Sequence, residues 1–81
     1  MKITEAEQLV GQTFKRGPSI RTITRIEGLQ EYPSHPEVLL GDVYWKRPGG
    51  SERKNPQWMP DFLRWLSKAT EVQPDVQEAV K

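Results

Sequence analysis

The alternation of hydrophobic and polar positions predicts a short helix, then strands, then a longer helix. Residues 4–11 (TEAEQLVG) fit two helical turns, with Leu9 and Val10 facing inward and Gly11 as a stop signal. QTFKRG and the β-branched run SIRTITRIEG predict two strands, joined by a turn at Gly17-Pro18. The N-terminal half is therefore expected to pack one short helix against a strand pair.

The register of the second strand stays open on sequence alone. Strict alternation puts Ile20 and Ile26 on one face, and Ile23 on the other face beside Arg21 and Arg25. A bulge within this run would reset that alternation. We therefore expect either arrangement at this point.

The C-terminal half predicts a loop, two further strands and a helix. Prolines mark LQEYPSHPE as an exposed loop, VLLGDVYWKR reads as a strand, and PGG predicts a turn before a returning strand, SERKNPQWM. In PDFLRWLSKAT, the apolar residues recur at helical spacing behind Pro60 at the helix start: Phe62, Trp65, Leu66 and Ala69. We expect Trp45, Phe62, Trp65 and Leu66 in the core, and Trp58 either in the core or on the surface.

These elements predict an α+β fold. We expect a small, strongly bent antiparallel sheet or an SH3-like or OB-like barrel, with a short N-terminal helix and a packed C-terminal helix. Residues 1–70 are expected to form a single barrel-like domain. Residues 71–81 are expected to be an acidic tail, weakly helical or disordered.

The composition argues against several kinds of chemistry. The chain of 81 residues contains no cysteine and one histidine, His35, so we expect no disulfide, no metal site and no cofactor. No serine lies in a nucleophile-elbow pattern, and no small-molecule substrate is evident. No run approaches the roughly 18 apolar residues that span a membrane, and no signal peptide is evident. The expected class is a cytoplasmic, non-enzymatic protein without a membrane partner.

The charge is unevenly distributed although the net charge is only +1. Residues 14–25 and 43–68 together contain ten basic and two acidic residues, a net charge of +8, and the remaining residues carry −7. A basic, aromatic face on a curved sheet is typical of nucleic-acid binding, although a solvated charged surface explains the same pattern. The candidate binding residues are Arg21, Arg25, Tyr44, Lys46, Arg47, Arg53 and Lys54.

The proline-rich segment EYPSHPE is a candidate protein contact. It presents Tyr32 and His35 between prolines, and an aromatic residue in a rigid loop is a common interface anchor. The alternative interpretation is a plain connector between strands.

The motifs GQTF, RTITRI and VYW, a glycine turn, and FLRWLSKA together resemble small barrel proteins encoded by bacteriophages and prophages. The resemblance covers roughly residues 10 to 69, and the segment LQEYPSHPEVLLG is longer than the corresponding part of that pattern. It implies a small barrel and a mobile-element context, with no catalytic residues to carry over. We therefore expect a phage-type binding module that docks a basic sheet face onto nucleic acid or onto a complex that handles it. The alternative is a protein-binding inhibitor of host defence, of anti-CRISPR or anti-restriction type.

Overall fold

The computed structural model describes residues 1–72, which form one open five-stranded antiparallel sheet and two short helices. The helices are α1 (Ile3–Glu7) and α2 (Met59–Leu66), and the strands are β1 (Thr13–Arg16), β2 (Ser19–Tyr32), β3 (His35–Lys46), β4 (Gln57–Trp58) and β5 (Thr70–Val72). The strand order is β4-β3-β2-β1-β5. The α+β class and the antiparallel sheet are therefore confirmed.

Strands β2 and β3 form a long hairpin, which extends well beyond the rest of the sheet. Within the described chain, β1 pairs with β2 only from Ser19 to Thr22, and β4 pairs with β3 only at Asp42 and Val43. The distal parts of β2 and β3 therefore pair with each other alone, and the molecule measures 49 × 26 × 21 Å. We call residues 28–41 the hairpin arm.

The predicted loop at residues 29–37 is wrong, because most of this segment belongs to the two paired strands. Tyr32 lies opposite His35, so only Pro33 and Ser34 remain for the turn. The register is irregular between Glu31 and Tyr32, next to the position where Pro36 enters β3. Because a two-stranded arm leaves half of its amides unpaired, it accommodates a proline that a central strand would reject.

A bulge at Thr24 settles the register of β2. Ile23 pairs with Trp45, but the next pair is Arg25 with Tyr44, so Thr24 is an extra residue in β2. One extra residue moves all following side chains to the opposite face. Strict alternation therefore fails here, and Ile26 joins Ile23 on the face that packs against α2.

A second bulge depends on glycine. Glu27 pairs with Asp42 and Gln30 pairs with Leu40, so β2 again contains one residue more than β3. Gly28 has a φ of 66°, a left-handed conformation that glycine adopts without strain. A Cβ at Gly41 would lie 3.1 Å from the carbonyl oxygen of Glu27, so the backbone of β2 would have to move slightly to accommodate a side chain there.

The core lies between the sheet and the two helices. Trp45 and Phe62 are buried, Trp65 is 9% exposed and Leu66 packs against this core, as predicted. Trp58, which the sequence left undecided, is 48% exposed. The other buried side chains come from α1, its following turn, the sheet and the start of α2: Ala6, Leu9, Phe14, Ile23, Leu39, Val43 and Met59.

The returning strand that SERKNPQWM predicts is mostly absent. Only Gln57 and Trp58 pair with β3, and residues 51–56 form no strand. Pro56 has no amide hydrogen for the ladder, so pairing begins only after it. Residues 71 and 72, expected at the start of the acidic tail, instead belong to β5, and the rest of the expected tail lies outside the described residues.

Candidate functional site

Arg21 is held between two tryptophans on the helix-packed face of the sheet. It pairs with the buried Phe14 in the neighbouring strand, so its side chain points toward α2. Its guanidinium carbon lies 4.2 Å from the ring centroid of Trp45 and 4.1 Å from that of Trp65. Its Nη1 atom donates a hydrogen bond of 2.8 Å to Oε1 of Gln57. Three other elements, β3, β4 and α2, therefore fix this guanidinium in place.

The charges of three further arginines act on Arg21: Arg16, Arg47 and Arg53. Arg53 lies with its guanidinium carbon 4.7 Å from the ring centroid of Trp45, and its backbone amide donates to the Trp45 carbonyl oxygen at 3.0 Å. A turn in which the Gly50 amide donates to the Arg47 carbonyl oxygen carries the chain from Arg47 back toward β3. This confirms the predicted Pro48-Gly49-Gly50 turn. We call the assembled side chains the arginine–tryptophan cluster: Arg16, Arg21, Arg47, Arg53, Trp45 and Trp65.

The cluster has an unbalanced positive charge. Burial lowers the pKa of Arg21, and the neighbouring charges of Arg53, Arg47 and Arg16 lower it further. Among residues 1–72, none of these four arginines forms an ion pair with a carboxylate. Arg21 therefore has a cationic environment, and a bound anion would relieve the repulsion.

Two donors of the cluster are also unsatisfied. Nε of Arg21 and Nε1 of Trp45 are buried without a hydrogen-bond partner in the described part of the chain. A buried polar group without a partner costs about 1–3 kcal/mol. Neither atom contacts solvent, so an anion would reach the outer guanidinium groups first.

Two adjoining cavities open onto the cluster. One has a volume of about 320 Å³ and the other about 410 Å³, and both are lined by Arg21, Trp45 and Arg47. The first is completed by Pro18, Ser19, Ile20 and Pro48, and the second by Gly50, Ser51 and Arg53. The two cavities thus share one charged wall.

Arg25 lies on the opposite face of the sheet, in a different electrostatic environment. Its guanidinium carbon is 3.7 Å from the ring centroid of Tyr44, which pairs with it across the sheet. Its Nε atom donates to both carboxylate oxygens of Glu52 at 3.1 and 3.2 Å, and Glu27 accepts from Nη1. Arg25 is therefore neutralised by two carboxylates.

Glu52 is held by both a hydroxyl and a guanidinium group. The Thr24 hydroxyl donates to its Oε1 at 2.6 Å, and this bond is the main cause that lowers the pKa of Glu52. Arg25 lowers that pKa further through its hydrogen bond and its charge, whereas desolvation opposes the shift. The bulge at Thr24 thus supplies the hydroxyl that fixes the carboxylate.

The structure divides the predicted binding residues into separate groups. Arg21, Arg47 and Arg53 come together in the cluster, with the exposed Lys54 next in the chain. Arg25 and Tyr44 lie on the opposite face, where Lys46 pairs with Thr22. Sequence reasoning did not single out Arg16 as a site residue or assign the two tryptophans as walls. The missing information was the set of contacts that bring Trp45 of β3 and Trp65 of α2 onto Arg21.

The tip of the hairpin arm holds the candidate protein contact. The rings of Tyr32 and His35 stack with centroids 5.8 Å apart and an angle of 2° between their planes. His35 Nδ1 lies 3.6 Å from Oε2 of Glu37. Tyr32 and Val38 are both exposed. Both predicted contact residues therefore lie in a β-turn region of the arm, rather than in a long loop.

Comparison with known proteins does not indicate a function for this chain. No protein-family model, curated protein or solved structure matches this chain. Within residues 1–72, no group of three or more potential metal ligands is positioned around a common point. The helices in this part of the chain are too short to cross a bilayer.

Proposed function

We propose that this protein is a non-enzymatic binding module that binds nucleic acid through the arginine–tryptophan cluster. The observation that carries the proposal is the convergence of Arg16, Arg47 and Arg53 on Arg21 without a carboxylate among the described residues. Phosphate groups would neutralise this charge, and their contacts with guanidinium groups are charge-assisted and often bidentate. Such contacts are the main source of nucleic-acid affinity.

The proposed interface is narrower than the basic sheet face expected from the sequence. Arg25 is already paired with Glu52 and Glu27, so it has less to gain from a phosphate. Tyr44 is covered by Arg25. We therefore propose Arg21, Arg47 and Arg53 as the principal phosphate contacts, with Lys54 at the edge. Lys46 lies on the opposite face of the sheet and is not part of this interface.

We also propose that the sheet has the barrel-like curvature expected from the sequence. A strongly bent sheet of the SH3-like or OB-like kind would place the β1–β2 turn and the segment after β3 around one groove, as small barrels do. A cytoplasmic, phage-type module is the setting that this proposal assumes. Its target is nucleic acid or a complex that handles it.

A second candidate function rests on the hairpin arm. The arm carries Glu31 and Glu37 and contains no lysine or arginine, and its tip exposes Tyr32. An acidic arm with an exposed aromatic residue would suit a partner protein with a basic surface, as a host-defence inhibitor of anti-CRISPR or anti-restriction type requires. Under this alternative, a partner protein remains bound in a pull-down after nuclease treatment. Tyr32→Ala abolishes this binding, and Arg47→Gln does not.

Fluorescence anisotropy with a labelled oligonucleotide tests the leading proposal. We expect affinity to fall steeply between about 50 and 200 mM salt, and Arg47→Gln to reduce the slope of log K against log salt by about 0.7 for a single strand. Lys68→Gln is the matched control, because it removes one exposed positive charge from the C-terminal side of α2. No binding of either DNA or RNA at the lower salt concentration would overturn the proposal. If Arg47→Gln and Lys68→Gln changed the salt dependence equally, the arginine–tryptophan cluster would not be the binding site.

A further inference from the structure

The two cavities beside the cluster form a pair of compartments with a common charged wall. Arg21, Trp45 and Arg47 line both, whereas Ser19 lines only the first and Ser51 only the second. Their volumes, about 320 and 410 Å³, lie at the lower end of the range of ligand-binding pockets, about 300 to 1,000 Å³. Each compartment therefore suits a ligand group of about the size of a nucleoside.

The wall that the two cavities share differs chemically from the residues that line only one of them. The shared wall contains two guanidinium groups, which suit a phosphate. The first cavity adds apolar surface from Pro18, Ile20 and Pro48, against which a base or sugar can pack. The second adds Arg53, whose guanidinium plane is a surface on which bases stack.

We infer that the cluster binds single-stranded nucleic acid in a two-nucleotide subsite. One phosphodiester lies against the wall formed by Arg21 and Arg47, and the two nucleosides that flank it occupy the two cavities. This inference rests on the proposed nucleic-acid binding and specifies its substrate class.

The preference for a single strand follows from the surfaces that the bases would contact. A base can stack on the Arg53 guanidinium group, or pack on the apolar surface of the first cavity, only when its face is free, and in a duplex neighbouring bases cover both faces. In a duplex, extruding a base requires loss of pairing and stacking that costs a few kcal/mol, whereas a single strand has no pairing to lose. Two adjacent nucleosides would have to leave a duplex together, which raises this cost further.

The electrostatic environment adds a second consequence. In the free protein, the like charges of Arg16, Arg47 and Arg53 act on Arg21. A phosphodiester on the shared wall offsets this repulsion, so ligand binding should raise the melting temperature. Because Trp45 belongs to the shared wall, the NMR signal of its indole N–H should change when a ligand binds there.

The experiment compares single-stranded and duplex oligonucleotides of the same sequence, roughly eight nucleotides long. We expect the single strand to bind at least about tenfold more tightly at matched salt. NMR titrations with thymidine mononucleotide and with the thymidine dinucleotide that contains one phosphodiester then define the subsite. The dinucleotide should shift the Trp45 indole N–H signal at a lower concentration than the mononucleotide.

Two substitutions block the cavities separately without changing the charge. Ser19→Leu and Ser51→Leu each fill one cavity from an exposed position, and Ser34→Leu makes the same change in the turn of the hairpin arm. Each cavity variant should weaken single-strand binding by about tenfold, and the control should not. Melting temperatures of all three variants establish that they are folded.

The outcomes distinguish this inference from the proposed function. Equal or tighter binding of the duplex, with the expected loss in Arg47→Gln, overturns the two-nucleotide subsite and leaves the proposed function standing. Equal affinity of the cluster for mononucleotide and dinucleotide also overturns the subsite. Failure of every nucleic acid to bind overturns both.

Discussion

Arg21 and Arg25 lie four residues apart on the same strand, and each stacks on an aromatic ring, yet their surroundings differ completely. Arg25 contacts Glu52 and Glu27, whereas the charges of other arginines act on Arg21. The bulge at Thr24 between them is also the feature that provides Arg25 with its hydroxyl-anchored carboxylate. The two arginines therefore differ in charge balance. Carboxylates compensate the charge of Arg25, and no carboxylate among residues 1–72 compensates that of Arg21, which is why the proposed function assigns ligand binding to Arg21.

The largest expected effect on stability comes from removing the Trp65 ring, which packs against Arg21. Trp65→Ala removes a buried ring that packs on Phe62 and covers the Arg21 guanidinium. We expect the free energy of unfolding to fall by about 3–5 kcal/mol, a large share of the roughly 5–15 kcal/mol that stabilises a folded domain. Urea denaturation measures it. An unchanged midpoint would mean that the ring does not support the cluster.

The two arginines should differ in their effects on stability. Arg21→Met replaces a crowded charge with an apolar chain that can pack between Trp45 and Trp65, so we expect the free energy of unfolding to change by no more than about 1 kcal/mol. Arg25→Met leaves Glu52 and Glu27 without their cation, so its melting temperature should fall. Thermal unfolding at low salt checks both. A larger loss in Arg21→Met than in Arg25→Met would reverse the roles assigned to the two residues.

A smaller effect is expected at acidic pH, where protonation of Glu52 lowers the melting temperature. Because the pKa of Glu52 is lowered in the folded state, its interactions stabilise the fold above its ordinary pKa of 4.5 and are lost as pH falls through the folded value. Glu52→Gln should therefore show a smaller drop in melting temperature between about pH 6 and pH 3 than the parent protein. Glu31→Gln, on the exposed hairpin arm, is the control. Identical pH profiles for the parent and Glu52→Gln would contradict the assignment.

The smallest expected effect separates the exposed tryptophan from the buried ones. Trp58 pairs with Asp42 at the sheet edge, and nearly half of its surface is exposed. We expect Trp58→Ala to change the free energy of unfolding by about 0.5 kcal/mol or less. Denaturation under the conditions used for Trp65→Ala gives the direct contrast. A loss close to that of Trp65→Ala would place Trp58 in the core.

The sequence predicted local structure better than it predicted pairing. Helical spacing identified Phe62 and Trp65 as core because a periodic apolar stripe is a property of one element. The hairpin arm was missed because its turn, Pro33-Ser34, is flanked by another proline and by polar residues that usually mark loops. Strand pairing there depends on contacts between distant residues, which composition does not show.

The candidate site was predicted in part for the same reason. Clustered basic residues identified Arg21, Arg47 and Arg53, but they also grouped Arg25 with them. Only the sheet register places Arg21 beside Phe14 and Arg25 beside Tyr44, on opposite faces. Arg16 pairs with Ser19 at the end of β1, and its charge acts on Arg21, whose position depends on contacts with β3, β4 and α2.

The affinities of Arg21→Met and Arg25→Met for one single-stranded oligonucleotide, measured at equal low salt, test the central claim most directly. Arg21→Met should lose at least about tenfold in affinity while remaining folded, because it removes the charge from the shared wall of the two cavities. Arg25→Met should bind nearly as tightly as the parent protein. Equal losses, or a greater loss in Arg25→Met, would contradict the assignment of the interface to the arginine–tryptophan cluster.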